Sequence, residues 1–290
     1  MRTTERNVPN PGPPLRPLAV VIPVYNAADD LARCLDSVHR TVPAETEVLV
    51  IDDASTDPAV RGLLQAWARR RPGWRCYTNP VNRGFVGTAN RGMALVDGDL
   101  VLLNSDTRVT PGWLEGLARC LASDPDIATA TPWTNNGEIA SLPDFCGNNP
   151  VPGDLASVAE AVGAAGPPEY PELPTAVGFC MAISRRAIER IGRFDEATFG
   201  RGYGEENDFC LRAIAAGMRN VLCDDVYVAH VGGRSFGPLG LRPSDDSMQR
   251  LLARHPDYLE CVQAFIAADP LAARRGAVLA ECERRGVRLG

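Results

Sequence analysis

The sequence predicts an α/β protein built on a mostly parallel sheet with helices on both faces. Three observations carry that expectation: near-continuous apolar runs of strand length, amphipathic stretches of helical period between them, and polar side chains gathered at the strand ends.

The first run, LAVVIPVY at 18–25, is β-branched and closes at Asn26; Leu31, Cys34, Leu35 and Val38 follow at helical spacing. A second strand at 47–51 precedes a helix carrying Val60, Leu63, Leu64 and Trp67. A weaker strand near 74–78 leads to a helix with Phe85, Ala89, Met93 and Val96. The run DLVLL at 99–103 forms the next strand, Trp113, Leu114, Leu117 and Leu121 mark the helix behind it, and a short strand near 127–131 closes this half. Residues 133–174 break the pattern with many Pro, Gly and Asn and one short helical stretch at 155–162. So long an irregular segment in a compact domain is functional or mobile, and the expectation is that a bound ligand orders it. Regularity resumes with the apolar stretch 176–183, a helix capped by Ser184 with Ile188 and Ile191 on one face, a helix from Glu205 to its C-cap at Gly217, and a strand at 221–229. From Ser244 the composition is helical, with start signals at Ser244, Pro256 and Pro270. Leu251, Leu252, Tyr258, Val262, Phe265 and Ile266 give those helices apolar faces that need cover from the same chain or from a homodimer partner. The expected organisation is a disordered lead-in at 1–17, a main domain at 18–240 with halves 18–132 and 133–240, and a helical extension at 241–290.

With 30 basic and 36 acidic residues the 290-residue chain carries a formal net charge of -6, which argues against a nucleic-acid partner. All the basic residues are Arg, so a P-loop, which needs Lys, is excluded; PVYNAADD offers no glycine for a dinucleotide-binding turn. No apolar run approaches the roughly 20 residues of a membrane-spanning helix, and the proline-rich N-terminus has no signal-peptide core. The nine cysteines lack a CxxC pair and read as buried thiols, so the expected setting is the cytoplasm, at most peripheral to a membrane.

In parallel α/β sheets, ligands bind outside the carboxyl ends of the strands. Tyr25 and Asn26 end the first strand, Asp52 and Asp53 the second, and Asn104, Ser105 and Asp106 the DLVLL strand, all on one edge. Asp97 and Asp99 mimic a DxD metal motif but precede their strand, which puts them at the opposite edge. Ser55 or Asp57 suits the cap of the following helix. The stretch NRGFVGTANRG at 82–92 sets glycines and amides around a helix N-terminus, which favours anions.

Taken together, VVIPVYN, VLVIDDASTD, NRGFVGTANRGM, LVLLNSDT, GFCMAISRRAIERIGRFDE, GYGEENDFCLRA and HVGGRSFG resemble, in order, the family 2 glycosyltransferases of GT-A fold, in particular the bacterial rhamnosyltransferase-like branch. The resemblance spans residues 18 to about 237. It implies that Pro23, Tyr25 and Asp53 surround a nucleobase, Asp53 accepting the imide N–H of uracil or thymine, and that Asn82, Gly84 and Asn90 belong to a second nucleotide-contacting motif. The family's DxD stands here as Asn104-Ser105-Asp106. Asp106 is then the ligand of Mg²⁺ or Mn²⁺ bridging the diphosphate, Asn104 a weaker contact through its amide oxygen, and His230 a further metal ligand or diphosphate contact. The implied reaction moves a sugar from a UDP- or dTDP-sugar, with inversion, to the hydroxyl of a glycan, lipid-linked glycan, metabolite or peptide; Trp133, Asp144 and Tyr170 are candidates for the acceptor side. Two other readings compete. A sugar-phosphate nucleotidyltransferase would need a Lys-containing glycine-rich loop, which is absent, and an inactive sugar-nucleotide-binding module is disfavoured by the presence of Asp53, Asp106 and Glu206.

The resemblance implies that the general base lies in Gly204-Glu205-Glu206-Asn207-Asp208. At about 100° per residue Glu205 and Asp208 share a helix face while Glu206 points elsewhere. Asp208 has Arg212 four residues on, and any first-turn acid suits the helix dipole, the role expected of Glu205. The resemblance aligns Glu205-Glu206 with a Glu-Asp pair whose second member is the base, so Glu206 is preferred and Asp208 is the alternative.

Overall fold

A computed structural model describes residues 17–71, 73–232 and 245–289. The expected lead-in up to residue 16, the helix start at Ser244 and the HVGGRSFG motif beyond Gly232 lie outside the described residues.

The chain alternates β1 (Ala19–Val24), α1 (Ala28–Thr41), β2 (Val48–Asp52), α2 (Pro58–Arg70), β3 (Arg75–Thr78), α3 (Gly84–Leu95) and β4 (Leu100–Leu103). These four strands run parallel, joined by helical crossovers; β1, β2 and β4 are buried and apolar, and β3 is the partly exposed edge strand. After the short β5 (Thr107–Arg108) come α4 (Trp113–Ser123), β6 (Ile127–Trp133), a 3₁₀ turn at Glu138–Ala140, α5 (Leu155–Ala164) and β7 (Cys180–Ile183). Then follow α6 (Arg185–Ile191), α7 (Glu196–Phe199), α8 (Glu205–Ala215), β8 (Arg219–Tyr227) and β9 (Ala229–His230). The seven-stranded sheet has the order β3-β2-β1-β4-β7-β6-β8, in which β7 alone runs antiparallel to its neighbours. A second sheet pairs β5 with β9.

The side-chain period of two in β1 feeds both faces of the sheet. Val20, Ile22 and Val24 join Leu31, Leu35, Trp67, Trp113 and Leu117 on one side; Ala19 and Val21 join Val86, Met93, Phe194 and Phe209 on the other. Each fully buried branched side chain contributes about 1.5–3 kcal/mol relative to exposure. Helix α3 sits so close to β1 that a side-chain carbon built on Gly92 would fall 2.3 Å from Val21 Cγ1.

Residues 133–174 are held by the protein itself. Thr134 N–H donates to Ala140 O at 3.0 Å and Leu142 N–H to Thr134 O at 2.7 Å, while the buried Asn135 and Asn149 bond each other's backbone. Trp133 is fully buried and donates Nε1–H to Asp224 O, so it belongs to the core and not to an acceptor surface. Asp144 is exposed, and the half-buried Tyr170 packs on the first core.

The C-terminal helices α9 (Asp245–Arg254), α10 (Tyr258–Ala268) and α11 (Ala272–Arg285) share these cores. Leu251 enters the second core, and Val278 and Cys282 join Trp133, Val158, Leu222 and Tyr227 in a third. Leu259 and Ile266 of α10 stay exposed. Among the described residues no helix is long and apolar enough to cross a membrane. All nine cysteines are free; Cys146 and Cys261 are exposed, contrary to the expectation that the thiols are buried.

Candidate active site

The parallel strands bring the ends of β1, β2 and β4 to one edge, and side-chain hydrogen bonds tie the loops there. Asn26 N–H donates to Ser55 Oγ at 2.9 Å, while Asn26 Oδ1 accepts from the N–H groups of Thr56 (2.9 Å) and Asp57 (3.0 Å). Asn26 and Ala54 have positive φ, the strained turns a ligand-binding edge tolerates. Pro23 and Tyr25, half-buried, line this edge. Asp57 caps α2 by accepting from Ala59 N–H. Asp99 lies at the opposite edge and accepts from Arg185 N–H at 2.7 Å, a structural task.

Asp53 has work inside the protein that the sequence did not reveal. Its Oδ1 accepts from Asn79 Nδ2 (2.7 Å) and Arg83 N–H (2.8 Å), and its Oδ2 from Gly84 N–H (2.8 Å). The anion expected at the N-terminus of α3 is therefore this carboxylate. A carboxylate offers about four acceptor positions, so one remains, on Oδ2, for a ligand N–H. Asn82 donates Nδ2–H to Asp53 O at 3.1 Å and accepts from Arg201 Nη2. Gly84 has φ +74°, and a side-chain carbon there would lie 2.6 Å from Arg201 Cα. Asn90 is not at this edge site: its amide closes a two-bond clamp on the backbone of Phe194, at 2.9 and 3.1 Å, which corrects its expected role as a nucleotide contact.

The β5–β9 ladder sets Thr107 opposite His230, and this register brings Asp106 and His230 together. His230 Nε2 stands 3.5 Å from Asp106 Oδ1, and the ring stacks on Phe179 at 5.2 Å. Its Nδ1 faces Asn136 O at 2.7 Å, which fixes the Nδ1–H tautomer in the neutral ring, and Asn135 brackets its backbone with two bonds. With Nδ1 so engaged, a neutral His230 turns a lone pair toward a carboxylate; two acceptors face each other, and only a proton or a cation satisfies both. Burial alone would lower the His230 pKa, but Asp106 and the Asn136 carbonyl outweigh it and hold it above the ordinary value. Asn104 is fixed next to this pair by its backbone, N–H to Phe179 O at 2.8 Å and O receiving Thr107 Oγ1–H at 2.7 Å. Among the described residues no group of three or more His, Cys, Asp or Glu is placed to hold a metal ion, and here Asp106 and His230 are two. A carboxylate and an imidazole oriented through its other nitrogen suit a divalent metal.

The third cluster opens α8. The chain enters through Gly202, Tyr203 and Gly204, all with positive φ. Glu205, expected only as a first-turn acid suited to the helix dipole, is 3% exposed, and Glu206 is half-buried with its Oε2 shielded from solvent. The two acids are consecutive at the start of α8, and each has an Oε2 buried without a hydrogen-bond partner. Burial, then the neighbouring Glu206 charge, drives the Glu205 pKa well above the ordinary range. Burial also raises Glu206, less, because backbone N–H groups and Glu205 favour its ionised form. Glu205 is the more deeply buried of the two, and burial penalises the charged form, which favours a proton there over Glu206. A carbon built on Gly178 would lie 3.6 Å from Glu206 Oε1, and the next residue, Phe179, carries the ring stacked on His230. Asp208 is instead fully buried against the C-terminal helices, bonded to Arg212 Nε (2.8 Å), Arg254 Nη1 (2.9 Å) and His255 Nε2 (3.0 Å). Those partners give Asp208 a structural post, against its expectation as the alternative base.

Asn135, Asn136, Gly178 and Phe179 escaped the sequence reading as parts of this site, and Glu205 was read there only as a helix-dipole acid. Only the run of two asparagines in the irregular segment was a signal, since buried amides there need partners.

Residues 19–192 match glycosyl transferase family 2, and the chain belongs to that family. A pre-mycofactocin glycosyltransferase of Mycobacterium tuberculosis is 31% identical over 264 residues, covering 86% of this chain and 50% of its own length. The chain thus spans about half the length of the curated relatives it matches first. Among solved structures, the mannosyltransferase PcManGT from Pyrobaculum calidifontis, in complex with GDP-Man and Mn²⁺, aligns with a TM-score of 0.61 at 20% identity over 94% of this chain and 76% of its own. GalNAc-T7 with UDP, GalNAc and Mn²⁺ gives 0.65 at 17% identity over 95% and 55%. These likenesses show the GT-A fold.

Proposed function

We propose that the chain is a metal-dependent inverting glycosyltransferase that moves a sugar from a UDP- or dTDP-sugar to an acceptor hydroxyl in a single displacement. The observation that carries this is the Gly178–Phe179 step: Phe179 stacks on His230 of the Asp106 pair, and Gly178 abuts the Glu206 carboxylate, where a side-chain carbon would lie 3.6 Å from Oε1. A charge site and a base thus meet across one bare stretch of backbone.

In this reading Pro23 and Tyr25 flank the base of the nucleotide, and the free position on Asp53 Oδ2 accepts its imide N–H. Asp106 and His230 hold the divalent cation, with Asn104 beside them. Once bound, the cation offsets charge on the departing diphosphate. The nitrogen ligand favours Mn²⁺ over Mg²⁺, which prefers oxygen. Glu206 takes the acceptor's O–H proton as that oxygen bonds to the anomeric carbon; the anomeric C–O bond breaks and its electron pair leaves on the diphosphate. A divalent cation and a nucleotide donor accord with the Mn²⁺ present in both neighbours; their nucleotides differ, GDP-Man in one and UDP in the other, so the UDP or dTDP assignment rests on Asp53.

Nucleotide release from a panel of UDP-, dTDP- and GDP-sugars with Mn²⁺ tests the reading. UDP or dTDP should be released by wild type, and Glu206→Gln should bind donor but lose turnover by about 10²-fold or more. Turnover of Glu206→Gln at the wild-type rate overturns the base assignment, and release of GDP alone overturns the donor class.

A further inference from the structure

Glu205 has no part in the reaction as proposed, yet it is an acid buried to 3% exposure beside the base. Neither it nor Glu206 forms an ion pair among the described residues, and each keeps an Oε2 shielded from solvent with no hydrogen-bond partner. Among the described residues, the side chains named beside them add no positive charge. Tyr203 lies beside Glu205, Glu138 of the 3₁₀ turn and Tyr258 of α10 face Glu206, and Cys210 lies one turn further along α8. Two carboxylates in contact in such a place cannot both be ionised, so they share a proton. Both carboxyls belong to the first turn of α8, where the helix dipole favours a negative charge.

We infer that Glu205 is a positioning residue for the base: kept protonated beneath Glu206, it donates a hydrogen bond to the Glu206 carboxylate and so fixes which oxygen faces the acceptor. This rests on Glu206 as the base. Glu205 touches no substrate; it acts by keeping the single negative charge of the pair on the more accessible partner. When Glu206 has taken the acceptor proton, both carboxyls are neutral, and the pair returns to its monoanion by loss of one proton to water.

Infrared spectroscopy of the full chain at neutral pH tests this without any substrate. Wild type should show the C=O band of a protonated, buried carboxylic acid, and isosteric Glu205→Gln should lose it while keeping the native circular dichroism. A wild type with no such band, or a band that survives Glu205→Gln, overturns the inference. The pH profile of nucleotide release is the second readout. Glu205→Ala strips the donor from Glu206 and should move the acidic limb up by about one pH unit, and Glu205→Gln, which still offers an N–H, should bring it back. A limb that stays in place in Glu205→Ala, with activity scaled equally at every pH, reduces Glu205 to a structural part and also overturns the inference. Should the band depend on Glu205 while Glu206→Gln turns over normally, the pair stands and the base assignment falls. Should Glu206→Gln be dead with no band in wild type, the base stands and the pair falls.

Discussion

Asp208→Asn removes a negative charge from a carboxylate that is fully buried and bonded to Arg212, Arg254 and His255 at 2.8, 2.9 and 3.0 Å. Breaking a buried ion pair costs about 3–5 kcal/mol when the partner is left stranded. Here the Arg254 side chain is 40% exposed and that of Arg212 22%, so water recovers part of the loss, and the asparagine oxygen keeps one acceptor. The expected destabilisation is about 2–3 kcal/mol, or about 5–10 °C in Tm. Urea unfolding followed by circular dichroism measures it. The same experiment against pH carries a sign. Burial alone would raise the Asp208 pKa, but the hydrogen bonds from His255, Arg212 and Arg254 outweigh it and hold the pKa below the ordinary aspartate value. A depressed native pKa stabilises the fold above the unfolded pKa, about 3.9, and that stabilisation drains away as pH falls toward the native value. Wild type and Asp208→Asn should therefore differ most at neutral pH and converge in acid. Since α9 is anchored through Arg254, which also bonds Asp195 at 2.8 Å, proteolysis of the variant should begin in the C-terminal helices. An Asp208→Asn protein as stable as wild type but without activity would refute the argument and move the base to Asp208.

Two further outcomes follow from the donor side of the site. Gly84→Ala puts a carbon 2.6 Å from Arg201 Cα at φ +74°, so stability should fall by about 2–4 kcal/mol and calorimetric titration with UDP should show weaker binding, because the Asn82–Gly84 turn and the loop ahead of α8 are pushed apart; wild-type stability would sink this account. Chelation with EDTA should abolish nucleotide release, Mn²⁺ should restore it better than Mg²⁺, and His230→Ala should lose most of that preference; activity unchanged in EDTA would remove the metal from the proposal.

What the sequence determined alone is what local periodicity encodes. The alternation of β-branched runs with 3.6-period helices set β1 to β4 as parallel strands, and the carboxyl-end rule then sent Asp53 and Asp106 to one edge and Asp99 to the other. The cap at Asp57 and the pairing of Asp208 with Arg212 were legible for the same reason, since both partners lie within a turn of helix. Tertiary structure decided the rest, because it depends on which distant segments share a register or cover one another. The reversal of β7 lets its start run between the two halves of the site, and no pattern within CMAI specifies that direction. Asp106 meets His230 through a two-residue ladder too short to leave a periodic signal. Asn90 and Asp53 look alike in sequence, as polar groups near strand ends and helix starts, yet the backbone of Phe194 fills one and three donors occupy most of the other. Glu205, Glu206 and Asp208 are three acids in one first turn. Only the packing around that turn, with the proton shared by the first two and the C-terminal helices laid over the third, gives them different charges and different work.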